Sequence, residues 1–226
     1  MNVVDKQKVG LGSGVYTYAE VARLLGVTTQ QVRRWAEGYV YDLNGQDVHK
    51  EGVLEREPTR EGLLTFHDLI ELVFVNEFTK AGVKMHHIRD TARLLREKWQ
   101  TPYPFAYERL QTDGCQLLLD AGKHYENVAA HQQVFRFAEQ FFKNIEFRDH
   151  LAERWWPMGP EKLVLIDPQR SFGAPIDARR GIRTEVLYRT YIAEGRTADA
   201  VADWYEVSVD SVNAAVEFEE QWRRAA

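Results

Sequence analysis

The stretch YTYAEVARLLGVTTQQVRRW, residues 16–35, constrains the fold more than any other part of the chain. Thr17 precedes Glu20 by three residues, a reciprocal cap in which a hydroxyl and a carboxylate satisfy free backbone N–H groups at a helix start. Val21, Leu24 and Leu25 follow at i, i+3, i+4 spacing, the apolar stripe of a short amphipathic helix. Gly26 stops that helix, and Thr28 or Thr29 caps a second one with Val32 and Trp35 facing inward. Ala22, Gly26 and Val32 fall at the spacing of a helix-turn-helix. The small residue lets the helices approach, the glycine permits a left-handed turn, and the apolar residue seals the second helix. Its outward positions are then Gln30, Gln31, Arg33 and Arg34.

Around this pair the chain reads as mainly helical with small β-hairpins. Residues 1–15 are glycine-rich and aperiodic, the pattern of a loosely ordered end. Asn44-Gly45 is a type I′ hairpin signal, and its polar flanks suit a wing projecting from the helix pair. Leu69, Leu72, Val73, Asn76 and Phe78 line one further helix, and Ile88, Ala92, Leu94 and Leu95 the next. Pro102 and Pro104 mark a boundary, after which Asp113-Gly114 predicts a hairpin. A long helix over about 128–153 is expected next, with Val134, Phe135, Ala138, Phe141, Phe142 and Ile145 on its apolar side. WWPMGP breaks it, KLVLIDP reads as a short strand, and helices resume after Thr184. Ala202, Glu206 and Val212, with Ser208 as cap, repeat the helix-turn-helix spacing with Glu in the glycine position. The expected organisation is an N-terminal winged helix-turn-helix (16–100), a hairpin and long-helix middle region (101–160) and a C-terminal helix-turn-helix-like domain (161–226).

Composition narrows the function classes. No apolar run approaches the roughly 20 residues that span a bilayer, and MNVVDKQKVG has no apolar signal-peptide core. The single cysteine, Cys115, excludes a disulfide framework or a multi-cysteine zinc site and reads as a small buried hydrophobe; a reducing cytoplasm is the expected location. No phosphate-binding glycine loop or nucleophile elbow stands out, and no paired carboxylates do either. His86 and His87 project about 100° apart on a helix and lie in no HExxH pattern. Trp155-Trp156 reads as a core or interface plug. No enzymatic activity, metal or cofactor is expected.

Gln and Arg on one outward helix face are the side chains that read base edges and grip phosphates, although the same residues also suit a solvated surface helix. The net charge of −5 matters less than its distribution. Arg170 to Arg189 holds five basic and two acidic residues, whereas Thr190 to Ala226 holds three basic and eight acidic. Arg179, Arg180, Arg183 and Arg189 read as a solvated face, a second DNA contact or a site for an acidic partner. The acidic end EFEEQW is a candidate RNA mimic.

Two resemblances sharpen this reading. Tyr16 to about Trp99, with YTYAEVARLLGVTTQQVRRW and LTFHDLIELVFVNEFTKAGVKMHHIRDTARLL, resembles the MerR-like winged helix-turn-helix, although the wing is longer and more acidic than usual (Glu51, Glu55, Glu57). That resemblance implies double-stranded DNA at Thr28, Gln30, Gln31, Arg33 and Arg34, with Arg60 contributing from the wing region. LIDPQRSFGAPIDARRGIRTEV and the helices after it are similar to a small domain of unknown function associated with VapB-type antitoxins. Together they imply a DNA-binding antitoxin that acts as a homodimer, controls its own operon and neutralises a PIN-type ribonuclease toxin. The alternative is a MerR-like regulator without a toxin, its small ligand held between the Asp113 hairpin and the helix carrying Phe135, Phe141 and Phe142.

Overall fold

The computed structural model describes residues 14–55, 62–110 and 128–224. Strand β1 (Tyr16–Thr17) leads into α1 (Tyr18–Leu25) and α2 (Thr29–Ala36). Both helices carry complete capping boxes, Thr17 with Glu20 and Thr28 with Gln31. Gly26 between them is left-handed at φ 65°, and Val27 N–H closes the turn on the Ala22 carbonyl at 3.0 Å. The wing follows as β2 (Gly38–Leu43) and β3 (Gln46–Glu51), joined through Asn44 and Gly45 at φ 56° and 82°. Two consecutive positive φ values are what a type I′ turn requires.

Strand β4 (Leu63–Leu64) pairs with β1, and α3 (Phe66–Lys80) then runs through the centre of the molecule. Eleven of its fifteen residues are buried, so its hydrophobic character is nearly all round, as expected of a helix enclosed on every side. Asn76 donates to the Leu25 carbonyl at 3.0 Å and ties this helix to the end of α1. Helix α4 (Met85–Trp99) packs beside it. Leu94, expected to face inward, is 47% exposed because the stripe through Ile88, Ala92 and Leu95 already covers the core.

The long helix ends earlier than the sequence suggests. Helix α5 spans Val128–Lys143, and β5 (Ile145–Arg148) and β6 (Leu151–Trp155) form a hairpin where helix was expected to continue to about 153. The turn residues Asp149 and His150 both have positive φ, 50° and 67°. Asp and His tolerate that region better than most side chains, but they are weaker turn signals than Asn-Gly, so the run of aromatics hid the hairpin. The hairpin is fastened to Ala106 through Ala152 N–H at 3.0 Å and to α3 through His67, whose Nε2–H donates to the Ala152 carbonyl at 2.9 Å. The hairpin expected at Asp113-Gly114, with Cys115, lies outside the described residues.

The C-terminal part begins with β7 (Val164–Leu165) and β8 (Ile176–Asp177), followed by α6 (Thr184–Ala193), α7 (Ala198–Tyr205) and α8 (Val209–Arg224). The main core gathers α1 to α4, the middle hairpin and Ala214 and Phe218 of α8 into one cluster. A satellite cluster of Leu187, Val201, Ala202, Val212 and Ala215 holds the last three helices together. The protein is mainly α with small antiparallel hairpins and a helix-turn-helix at its N-terminus.

Candidate nucleic-acid interface

Burial of Val32, Trp35 and Ala36 turns the opposite side of α2 outward. At 100° per residue Gln30, Arg33, Arg34 and Glu37 share that side, and all four are exposed. Thr28 and Gln31 are exposed as well, but they serve the cap. Gln31 N–H donates to Thr28 Oγ1 at 3.2 Å, and Gln31 Oε1 accepts from Thr28 N–H at 3.1 Å. Of the five α2 residues singled out from the sequence, Gln30, Arg33 and Arg34 therefore form the outward group, while Thr28 and Gln31 hold the helix start. Arg60 lies outside the described residues.

The two arginines each lie against an aromatic neighbour. The Arg33 guanidinium lies over the Tyr18 ring at 5.5 Å and 3.8 Å from the Glu37 carboxylate, which in turn accepts the Tyr18 hydroxyl. The Arg34 guanidinium lies over Tyr39 of the wing at 5.3 Å. Planar guanidinium on an aromatic face restricts rotamer freedom while leaving its N–H groups free to donate.

The wing register separates charge. Directly opposed residues of an antiparallel pair share a face. Tyr39–Lys50, Tyr41–Val48 and Leu43–Gln46 form one face, and Gly38–Glu51, Val40–His49 and Asp42–Asp47 the other. Contact between Arg34 and Tyr39 puts the first of these on the side of α2. All three strand carboxylates, Asp42, Asp47 and Glu51, thus sit on the far face, and the α2 side carries Lys50, two tyrosines and no carboxylate. Of the acidic residues that make this wing unusual, Glu51 is turned away from α2, Glu55 lies 4.0 Å from Arg96 of α4, and Glu57 is outside the described residues. The place of Lys50, Tyr39 and Tyr41 was not legible in the sequence because strand pairing, not composition, decides which charges face α2.

The basic C-terminal run is dispersed into local contacts. Arg180 lies 3.7 Å from Glu206, Arg189 2.7 Å from Glu185, and Arg183 reaches the Ser171 carbonyl at 3.5 Å. Arg179 is exposed and has no such contact among the described residues. In EFEEQW, Phe218 and Glu219 are buried and Glu217 pairs with Lys162 at 2.9 Å, so the segment is not an open acidic face. The place expected for a small ligand is filled on its described side: Phe141 and Phe142 are buried, with ring centroids 4.9 and 5.6 Å from that of Phe74. Among the described residues no group of three or more His, Cys, Asp or Glu could hold a metal ion, and no helix is long and apolar enough to cross a membrane.

Comparison with known proteins bears on the helix-turn-helix as a whole. Residues 14–92 match a family described as "Putative DNA-binding HTH domain". The chain is similar to a protein of Mycobacterium tuberculosis (strain ATCC 25618 / H37Rv) named "Putative antitoxin VapB45", with 29% identity over 223 residues, 90% of this chain and 92% of that one. It is also similar to the crystal structure of Rv2018 from Mycobacterium tuberculosis, with 27% identity, a TM-score of 0.66 and coverage of 89% of this chain and 96% of the other. The chain carries an N-terminal helix-turn-helix of DNA-binding type, and over nine-tenths of its length it is similar to a protein named as an antitoxin.

Proposed function

We propose that the protein is a DNA-binding antitoxin that reads its own operator as a homodimer and neutralises a PIN-type ribonuclease encoded beside it. The DNA half of this reading is carried by one arrangement: Gln30, Arg33 and Arg34 on the outward side of α2, flanked by a wing face with Lys50 and no carboxylate. Gln matches adenine and Arg matches guanine in the major groove, each pair contributing roughly 1–3 kcal/mol of discrimination. Lys50 and the tyrosine hydroxyls suit phosphate oxygens, which position the reader without specifying sequence. A net charge of −5 is no obstacle, since only the face toward the phosphates needs to be basic. Two-fold symmetry would put the half-sites about one helical turn apart.

The antitoxin half is supported by the similarity to the mycobacterial protein along nearly the whole chain. Two measurements test the proposal. In a binding titration on the promoter of its own operon, Arg33→Ala with Arg34→Ala lowers affinity about tenfold per arginine, with the circular dichroism spectrum unchanged. Lys50→Ala weakens binding to all sequences alike and reduces the salt slope by about one. Equal affinity of the double variant and the parent protein would remove α2 as the reader. Co-expression with the neighbouring gene product then gives a complex and rescued growth, and neither result would appear if the protein had no toxin partner.

A further inference from the structure

The C-terminal helix pair repeats the N-terminal one in backbone and inverts it in chemistry. Each position of the first unit has its counterpart 180 residues on. Ala202 and Val212 are buried like Ala22 and Val32. Val207 N–H bonds the Ala202 carbonyl at 3.0 Å just as Val27 bonds Ala22. Ser208 Oγ accepts the Ser211 N–H at 3.1 Å, matching the Thr28 cap. Glu206 adopts φ 52° and ψ 41° where Gly26 has φ 65° and ψ 40°. The left-handed turn therefore forms with a side chain that ordinarily disfavours it, so the unit is a true helix-turn-helix despite the missing glycine.

Its presenting surface is nevertheless unlike the first. Gln30 corresponds to Asp210, Arg33 to Asn213, and Arg34 to the buried Ala214. Arg23 corresponds to Asp203. From Thr197 to Trp222 there is no Lys or Arg. Asp199, Asp203 and Asp210 are exposed and have no ion pair among the described residues, while Glu206 and Glu217 meet Arg180 and Lys162. Such a surface repels phosphate. Leu24, moreover, is 3% exposed, covered by the body of the protein, whereas its counterpart Trp204 is 70% exposed. Asp199, Asp203 and Trp204 lie at i, i+4, i+5 on the outward side of α7, opposite the buried Val201 and Ala202. An exposed tryptophan beside Asp203, on a helix pair whose other exposed aspartates, Asp199 and Asp210, have no ion pair among the described residues, has the make-up of a binding hot spot, with an aromatic anchor and charges that steer a cationic partner.

We infer that the second helix-turn-helix is a protein-docking face, in which Trp204 enters an apolar socket on a basic partner surface while Asp199, Asp203 and Asp210 meet its cations. The partner is the ribonuclease of the proposed function, and the inference rests on that reading. Its basic substrate groove supplies the complementary charge, because a nuclease must hold a polyanion.

The test measures binding of the co-expressed nuclease by calorimetry to the full chain and three variants, with operator affinity and light scattering recorded in parallel. Trp204→Ala is expected to weaken the complex by about tenfold or more, and Trp204→Phe to restore most of it. Asp203→Asn with Asp210→Asn reduces the salt dependence of binding. All three bind operator as the parent does and keep its spectrum, since the altered side chains are exposed. Unchanged nuclease affinity in Trp204→Ala and the aspartate variant would overturn the docking face while leaving the antitoxin reading intact. A parent protein that neither binds the nuclease nor rescues growth would overturn both. A fall in oligomeric mass of Trp204→Ala with full nuclease affinity would make the face a contact between two copies, and would equally overturn the inference.

Discussion

Glu71 is buried in the middle of α3, a position that sequence patterning would reserve for an apolar residue. Its Oε1 accepts the N–H groups of Phe105 and Ala106 at 2.5 and 2.9 Å, and Oε2 has no partner among the described residues. Burial pushes the carboxyl from 4.5 up to about 8, against the downward pull of Arg96 and the two N–H donors. A native pKa above the unfolded one means that the folded state binds the proton more tightly. Its contribution to stability is therefore complete below about pH 4.5 and is lost as pH rises to about 8. Glu71→Gln keeps the acceptor for both N–H groups and cannot ionise, so its melting temperature should exceed that of the parent at pH 9 and fall less across that window. Parallel curves for the two proteins would show that Glu71 does not carry this pH dependence. The role of Glu71 was not legible in the sequence, since its partners come from a segment 34 and 35 residues away.

The wing depends on glycines at its two roots. A Cβ on Gly38 would lie 2.0 Å from the Lys50 carbonyl oxygen, and one on Gly52 2.1 Å from the Ala36 carbonyl oxygen. These close approaches let β2 and β3 leave directly from the end of α2, where Val53 N–H reaches the Trp35 carbonyl at 2.6 Å. Arg96 of α4 donates to the Val53 carbonyl and to that of Pro102 at 3.2 Å, which anchors the wing exit to the body. Gly52→Ala should push the wing root from α2 at a cost of about 1–3 kcal/mol of stability and lower DNA affinity although Gln30, Arg33, Arg34 and Lys50 are all retained. Undiminished affinity in that variant would mean that the wing takes no part in binding. The hairpin and its Asn-Gly turn were plain in the sequence because the turn chemistry is local. Its facing was not, because it follows from which residues pair across the strands.

At the scale of the whole molecule, the N-terminal helix-turn-helix and the C-terminal part share one core. Phe218 and Ala214 of α8 join the core built by α1 to α4. The Tyr16 hydroxyl donates to the Gly173 carbonyl at 2.8 Å, and a Cβ on Gly173 would lie 2.3 Å from that hydroxyl. Glu219, buried, accepts from Thr184 Oγ1 at 2.7 Å and lies 3.8 Å from Arg23 of α1. Removing the Phe218 ring should therefore destabilise both ends together. Phe218→Ala is expected to cost about 3–5 kcal/mol, with unfolding followed at the N-terminal and C-terminal ends remaining coincident. Separate transitions at the two ends would contradict a shared core.

The sequence by itself determined what depends on residues close along the chain: the cap at Thr17, a second cap at Thr28 or Thr29, the left-handed Gly26, the Asn44-Gly45 turn and the outward arginines of α2. Each rests on backbone N–H groups, dihedral preferences or helical spacing that act within a few residues. Tertiary structure decided the rest. Strand pairing turned Asp42, Asp47 and Glu51 away from α2, while packing buried Phe218 and Glu219 and left Trp204 outside. Packing also held Glu206 in a turn where glycine was expected. The physical reason is that burial and cross-strand register arise between segments far apart in sequence, and they can override local propensity whenever the shared core contributes more than the local strain costs.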